Sequence, residues 1–188
     1  MVANTGLDKM LDYGTHQHTT WGNLRIVFTA FSLMLIWTIL VMVFLQRALG
    51  MGSNEIRSLV QAQLVIYASI SAAIGNNPFG RFFLSCVFAP IWEEAPFRYA
   101  PFKMARAWDK ESGNILATYF LYPAVIITSI LFGVCHGGVI NILIQGVAGF
   151  VLSWVMIKSG YKWAVLTHFM WNFMLQYGMP VLINTIGK

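Results

Sequence analysis

From Ser112 to Ile157 the chain carries no Asp, Glu, Lys or Arg, and this uncharged stretch restricts the possible folds more than any other feature. A membrane-spanning helix needs about 20 predominantly apolar residues, so the stretch has room for two of them. The adjacent Gly137 and Gly138 favour a turn between the two. The stretch therefore predicts a pair of membrane helices joined by a glycine hinge.

The rest of the chain has the same character. Of its 188 residues, 57% are hydrophobic and only 10% are charged, which excludes a water-soluble monomer and a disordered chain. We expect an all-α, polytopic membrane bundle in residues 21–188, preceded by a polar N-terminal arm in residues 1–20. About six membrane helices are predicted, at residues 26–46, 58–80, 82–92 with the charged residues that follow, 115–135, 140–157 and 163–183.

The charge distribution indicates membrane topology. Twelve Lys and Arg against seven Asp and Glu give a formal net charge of +5. The cations separate apolar runs and do not cluster on one solvated face, so we expect the lipid bilayer, and not nucleic acid, as the surrounding partner. Most of the cations fall on the side opposite the termini. The positive-inside rule then predicts an integral protein of the plasma (inner) membrane with both termini outside.

The charges in the third apolar segment are the first candidate site. Ionisable side chains at membrane depth cost a few kcal/mol each, and they usually face a protein-lined cavity. Glu94 and Arg98 are one helical turn apart and can form an ion pair. Neighbouring helical positions point about 100° apart, which leaves Glu93 outside that pair as the candidate general base. The alternative is that both glutamates are interfacial charges at a helix end.

A second candidate site residue lies at the glycine hinge. Phe132 and His136 share one helix face, and the small residues Gly133 and Gly137 allow another helix to approach closely. His136 is therefore predicted to be buried in a tight helix contact. A lone membrane histidine can equally be a packing residue that forms a hydrogen bond, so its catalytic role depends on its neighbours.

The third candidate is a pair of hydrogen-bond donors. His168 and Asn172 lie one turn apart on one face of the last predicted helix, an arrangement that suits an oxyanion. The alternative is that both side chains only hold membrane helices together. Taken with the carboxylate of Glu93 and the imidazole of His136, the pair completes the groups needed for attack of water on an amide carbonyl.

These residues resemble the CPBP (CAAX-processing and bacteriocin-processing) family of intramembrane endopeptidases, also called the Abi family. The family motifs EExxxR, FxxxH and HxxxN occur here in the family's order, as residues 93–98, 132–136 and 168–172. They cover residues 82–180, and residues 1–80 carry no motif of this kind. The resemblance implies a helical bundle with a conical, water-filled pocket and a mechanism that needs no cofactor.

The resemblance also implies a role for each motif residue. Glu93 would activate the water together with His136, and the substrate would be a membrane-associated peptide or protein. His168 and Asn172 would bind the oxyanion. The supporting residues would be the ion pair of Glu94 with Arg98, and Phe132 beside the site.

Other chemistries remain open from the residues alone. Glu93, His136 and His168 would also make a two-histidine, one-carboxylate zinc site. Cys135 could act as a nucleophile only with His168 as its base. A catalytically silent membrane scaffold that binds a protein partner, or works as a subunit or oligomer, is the alternative function, and a transporter or channel is a third.

Overall fold

The computed structural model describes residues 19–60, 77–112 and 114–186. Within these ranges every regular element is helical, which confirms the predicted all-α class. The α-helices are α1 (Thr20–Leu49), α2 (Ser53–Val60), α3 (Pro78–Phe82), α4 (Ala89–Glu94), α5 (Ala100–Ser112), α6 (Asn114–Cys135), α7 (Gln145–Ser159), α8 (Tyr161–Phe173) and α9 (Met179–Ile186). The other elements are three π-helices, π1 (Phe83–Phe88), π2 (Ala95–Tyr99) and π3 (Met174–Gly178), and one 3₁₀ helix (Val139–Leu143).

The π-helices join short α-helices into longer rods. Residues 78–112 form one continuous helix from α3 through π1, α4 and π2 to α5, and residues 161–186 form another from α8 through π3 to α9. The first rod begins where the sequence favours it, because Pro78 occupies its first turn and the Asn77 side chain accepts hydrogen bonds from two backbone N–H groups. Single π turns inside α-helices are frequent at functional sites.

Two of the helical stretches are long and apolar enough to cross a membrane. They are α1 and the segment Val139–Ser159, and Phe120–Cys135 is a shorter apolar helix. The predicted N-terminal arm and most of the predicted helix at residues 58–80 lie outside the described residues. The six-helix membrane topology therefore stays a prediction, whereas the helical fold and these two membrane-length segments are established.

Helix α7 is the centre of the bundle, because it packs against α1, α6 and α8. It contributes to two clusters of buried apolar side chains. In one, Leu152 packs with residues of α1, α2 and the rod at residues 161–186, including Trp171. In the other, Val155 packs with residues of α1, α5, α6 and α8. Burial from several sides fixes α7 and, through it, the helices that carry the motif residues.

The contact between α6 and α7 depends on glycines. A Cβ atom at Gly133 would lie 2.6 Å from the Cα atom of Ile142, and one at Gly146 would lie 3.2 Å from the Ser129 carbonyl oxygen. The predicted close helix approach at Gly133 is therefore present. Gly137 has instead a φ of 132° and lies in the turn after α6, where its backbone freedom is needed.

Candidate active site

Four elements bring the motif side chains together. Glu93 and Glu94 end α4, Arg98 lies in π2, His136 follows the last residue of α6, and His168 lies in α8. All five residues are buried. The structure therefore places the predicted carboxylates and both predicted histidines in one cluster inside the bundle.

A buried ion pair supports one side of the cluster. Nη1 of Arg98 donates to Oε1 of Glu94 at 2.9 Å, one turn apart as the sequence predicted. Nδ1 of His168 lies 2.8 Å from the same Glu94 oxygen. An arginine-paired carboxylate can only accept, so Nδ1 of His168 is the donor in this contact. Arg98, Glu94 and His168 thus form one chain of charge-assisted hydrogen bonds.

Glu93 faces both histidines. Its Oε2 atom lies 3.5 Å from Nε2 of His136 and 3.6 Å from Nε2 of His168. These separations are longer than normal N–H···O hydrogen bonds. Oε2 of Glu93 and Nε2 of His168 are buried and have no hydrogen-bond partner among the described residues. Three polar atoms therefore converge without direct hydrogen bonds, which is the arrangement a shared water or proton would complete.

His136 is oriented by the helix it follows. Its Nδ1 atom lies 2.6 Å from the carbonyl oxygen of Phe132, so Nδ1 carries the donated hydrogen. In the neutral ring, Nε2 then has no hydrogen, and its lone pair is directed at Glu93. The same tautomer follows for His168 from its bond to Glu94. In this tautomer each imidazole presents an acceptor to the Glu93 carboxylate, and a water molecule beside the three atoms would donate to two of them.

The Phe132 ring packs against both sides of the site. The guanidinium carbon of Arg98 lies 4.1 Å from the ring centroid, a cation–π contact in a desolvated setting. The ring centroids of His136 and His168 lie 4.3 and 5.6 Å from it. Phe132 therefore holds the ion pair and the two imidazoles against one another.

Asn172 is held by a backbone carbonyl. Its Nδ2 atom donates to the carbonyl oxygen of Ser85 at 2.8 Å. In π1 the N–H of Ala89 bonds to the carbonyl of Leu84, five residues back. The next N–H in this register would come from Pro90, which has none, so the Ser85 carbonyl is open to Asn172. One hydrogen of the Asn172 amide is engaged in this way, and its predicted oxyanion role uses the other.

Sequence reasoning anticipated the cluster but missed several of its contacts. It predicted the pair of Glu94 with Arg98, but not the Glu94 bond to His168. It also missed the link from Asn172 to Ser85, for which Pro90 five residues on was the available signal. Cys135 is exposed whereas His168 is fully buried, which disfavours a cysteine nucleophile with His168 as its base.

Within residues 19–60, 77–112 and 114–186, no group of three or more His, Cys, Asp or Glu side chains is placed to hold a metal ion. Each of the two imidazoles is oriented by a hydrogen bond at Nδ1, and its Nε2 atom faces Glu93.

Comparison with known proteins gives one family. The model of the family described as type II CAAX prenyl endopeptidase Rce1-like matches residues 75–174. The matched range includes every motif residue of the cluster and Asn172. No curated protein and no solved structure is detectably similar to the chain.

Proposed function

Because the chain belongs to the Rce1-like family of type II CAAX prenyl endopeptidases, we propose that it is an intramembrane endopeptidase in which Glu93 activates a water molecule. The observation that carries the proposal is the position of the Glu93 carboxylate between two imidazoles. Its Oε2 atom is 3.5 and 3.6 Å from their Nε2 atoms and has no hydrogen-bond partner in the described part of the chain. A water molecule beside these atoms would donate one hydrogen to Oε2 of Glu93 and the other to Nε2 of His136.

The chemical step then follows ordinary amide hydrolysis. Glu93 accepts a proton from the water while the water oxygen forms a bond to the carbonyl carbon of the substrate. His136 shares the water with Glu93 and fixes its direction of attack. The protonated carboxyl of Glu93 afterwards transfers the proton to the departing amine as the C–N bond breaks. No oxidant, reductant or cofactor is required, and we propose a metal-independent mechanism.

The remaining donors serve the oxyanion. Before the substrate binds, His168 takes up a second proton from solvent. The imidazolium keeps its Nδ1–H on Glu94 and donates from Nε2 to the oxyanion. Asn172 lies one turn further along the same helix and has a second amide hydrogen beside the one given to Ser85. Both donors are held by partners of their own, and such preorganised donors in a buried site stabilise developing charge strongly.

We propose that the substrate is a membrane-associated peptide or protein. The family is described as CAAX prenyl endopeptidases, so a lipidated C-terminal tail is the first substrate class to test. In a cell that does not prenylate proteins, the substrate would be a leader peptide or a small membrane protein. The apolar helices support a membrane setting. We also propose that the chain crosses the plasma membrane with six helices and has both termini outside.

The deciding experiment compares Glu93→Gln with Glu55→Gln. Both replace a carboxylate with an amide of the same shape, but Glu55 is an exposed residue of α2. The purified full chain, in liposomes, is given an internally quenched peptide that ends in a prenylated cysteine and three further residues, and a matching peptide without the lipid. We expect wild type and Glu55→Gln to cleave the prenylated peptide, and Glu93→Gln to lose cleavage by about 10³-fold.

Thermal unfolding of the same samples tests whether each variant is folded. Cleavage by folded Glu93→Gln at the wild-type rate would contradict the glutamate mechanism. If folded wild type binds a peptide without cleaving it, the silent scaffold becomes the better assignment.

A further inference from the structure

His136 lies just beyond the end of α6 and is followed by two glycines. Its backbone N–H bonds to the carbonyl of Gly133 at 3.1 Å. Beyond it, Gly137 and Gly138 adopt φ angles of 132° and 96°, which only glycine tolerates well. The helical backbone hydrogen bonding of α6 therefore ends at His136, although the proposed mechanism needs the His136 imidazole to be fixed. A group outside α6 has to complete the anchoring.

Asn141 supplies that anchoring. Its side-chain Nδ2 atom donates to the carbonyl oxygen of His136 at 2.6 Å and to the carbonyl oxygen of Leu59 at 3.1 Å. The residue is 0% exposed. Because both neighbours are carbonyl oxygens, only the NH₂ end of the amide can face them. Each of its two hydrogens has one acceptor.

The two hydrogen bonds of the Asn141 amide, to His136 and to Leu59, form a bridge that affects the site. It joins the turn that carries His136 to α2, and Leu59 lies outside the residues 75–174 matched by the family model. Removing the amide would leave the buried His136 carbonyl without this donor beside two flexible glycines. The Nδ1 bond to Phe132 would remain, but the His136 backbone that carries the imidazole could then shift relative to Glu93.

We propose that Asn141 is a positioning residue that holds His136 in line with Glu93 by bridging the His136 backbone to α2. This inference rests on the proposed function, because it assigns His136 a part in water activation. It adds a residue that none of the three motifs contains. It also gives α2 a defined part in the site, as the second support of the Asn141 amide.

The test compares Asn141→Ala with Thr128→Val. Thr128, on α6, likewise donates from its side chain to a backbone carbonyl, at 2.7 Å, but that carbonyl belongs to Ala124, 12 residues before His136. With the prenylated peptide as substrate, we expect Asn141→Ala to lower kcat by about 10- to 100-fold with KM within about twofold of wild type. Thr128→Val should keep the wild-type kcat.

A double substitution separates positioning from general damage. If Asn141 acts through His136, adding Asn141→Ala to His136→Ala should cause no further loss of kcat. Multiplied losses in the double variant, or a kcat of Asn141→Ala equal to that of Thr128→Val, would overturn the proposal. Should Asn141→Ala not fold, Asn141→Ser retains one donor, and its kcat should lie between those of wild type and His136→Ala. A wild-type kcat for Asn141→Ser would overturn the proposal.

Hydrogen exchange gives a readout that does not depend on activity. The amides of Gly137 and Gly138 bond to the Val134 carbonyl in the turn that Asn141 supports. We expect faster exchange across residues 136–141 in Asn141→Ala and unchanged exchange there in Thr128→Val. Equal exchange in both variants would refute the bridge. If the bridge is present but wild type cleaves no peptide, the proposed function fails and the anchoring stands.

Discussion

Nδ1 of His168 lies 2.8 Å from Oε1 of Glu94, the oxygen that also accepts the hydrogen bond of Arg98. The opposite nitrogen of the same ring faces Glu93 at 3.6 Å. One imidazole thus connects two adjacent glutamates with different neighbours. Glu94 is paired with a permanent cation, whereas Oε2 of Glu93 lies 3.5 and 3.6 Å from imidazole nitrogens and has no hydrogen-bond partner among the described residues. The different environments explain how neighbouring carboxylates can have different roles.

The first prediction concerns the buried ion pair. Arg98→Met leaves the fully buried carboxylate of Glu94 without its cation, so we expect a loss of about 3–5 kcal/mol in the free energy of unfolding. The measurement is unfolding of the detergent-solubilised chain. Glu94→Gln combined with Arg98→Met removes both charges and should recover most of that stability. Equal stability of Arg98→Met and wild type would mean that the pair does not keep Glu94 ionised inside the bundle.

The motif contacts show what the sequence could predict. The pair of Glu94 with Arg98 and the contact of Phe132 with His136 join residues one helical turn apart, so the helix period alone gives them. The contact between His168 and Glu94 spans 74 residues and depends on how α8 packs against α4. No local pattern encodes such packing, and the family resemblance supplied only the expectation that these helices meet.

The second prediction concerns the aromatic packing of the site. Phe132→Leu removes the ring that lies 4.1 Å from the Arg98 guanidinium, together with its packing against His136. Loss of a desolvated cation–π contact and of part of a buried ring should cost about 2–3 kcal/mol of unfolding free energy. Phe150→Leu is the matched control, because Phe150 is 54% exposed. A comparable loss in both variants would show that the cation–π contact contributes nothing specific.

The third prediction concerns Gly149 of α7. Replacing glycine by alanine inside a helix normally stabilises it by about 1 kcal/mol. Here the new Cβ would lie 2.8 Å from Nη2 of Arg98 and 3.3 Å from Cδ1 of Phe132. We therefore expect Gly149→Ala to lower both stability and kcat by displacing the guanidinium from Glu94.

Unfolding and peptide cleavage measure this effect, and Gly52→Ala is the control, because its Cβ would meet only the Glu55 side chain at 3.6 Å. Arg98→Lys removes Nη2 while it keeps the charge, so it should partly suppress the defect of Gly149→Ala. Absence of suppression would place the strain at Cδ1 of Phe132 or at Cα of Ser129, each of which lies 3.3 Å from the new Cβ.

The contacts that sequence reasoning missed share a physical cause. Asn172 bonds to the carbonyl of Ser85, and Asn141 bonds to those of His136 and Leu59. Backbone carbonyls occur at every position, and Pro90 by itself does not identify the open one, because it frees the carbonyl of Cys86 in an α-helix and that of Ser85 in a π-helix. Their partners become visible only when the helices are placed.

The last prediction distinguishes the glutamate mechanism from its zinc alternative. In the proposed mechanism Glu93 itself removes the proton from water, with His136 and His168 already oriented at Nδ1 by Phe132 and Glu94. No Lewis acid is needed, so dialysis against 1,10-phenanthroline and EDTA should leave cleavage of the prenylated peptide unchanged. A zinc peptidase treated in parallel should lose its activity and thereby validate the chelation. Loss of cleavage that returns on addition of zinc would instead assign Glu93, His136 and His168 as metal ligands, with a zinc-bound water as the nucleophile.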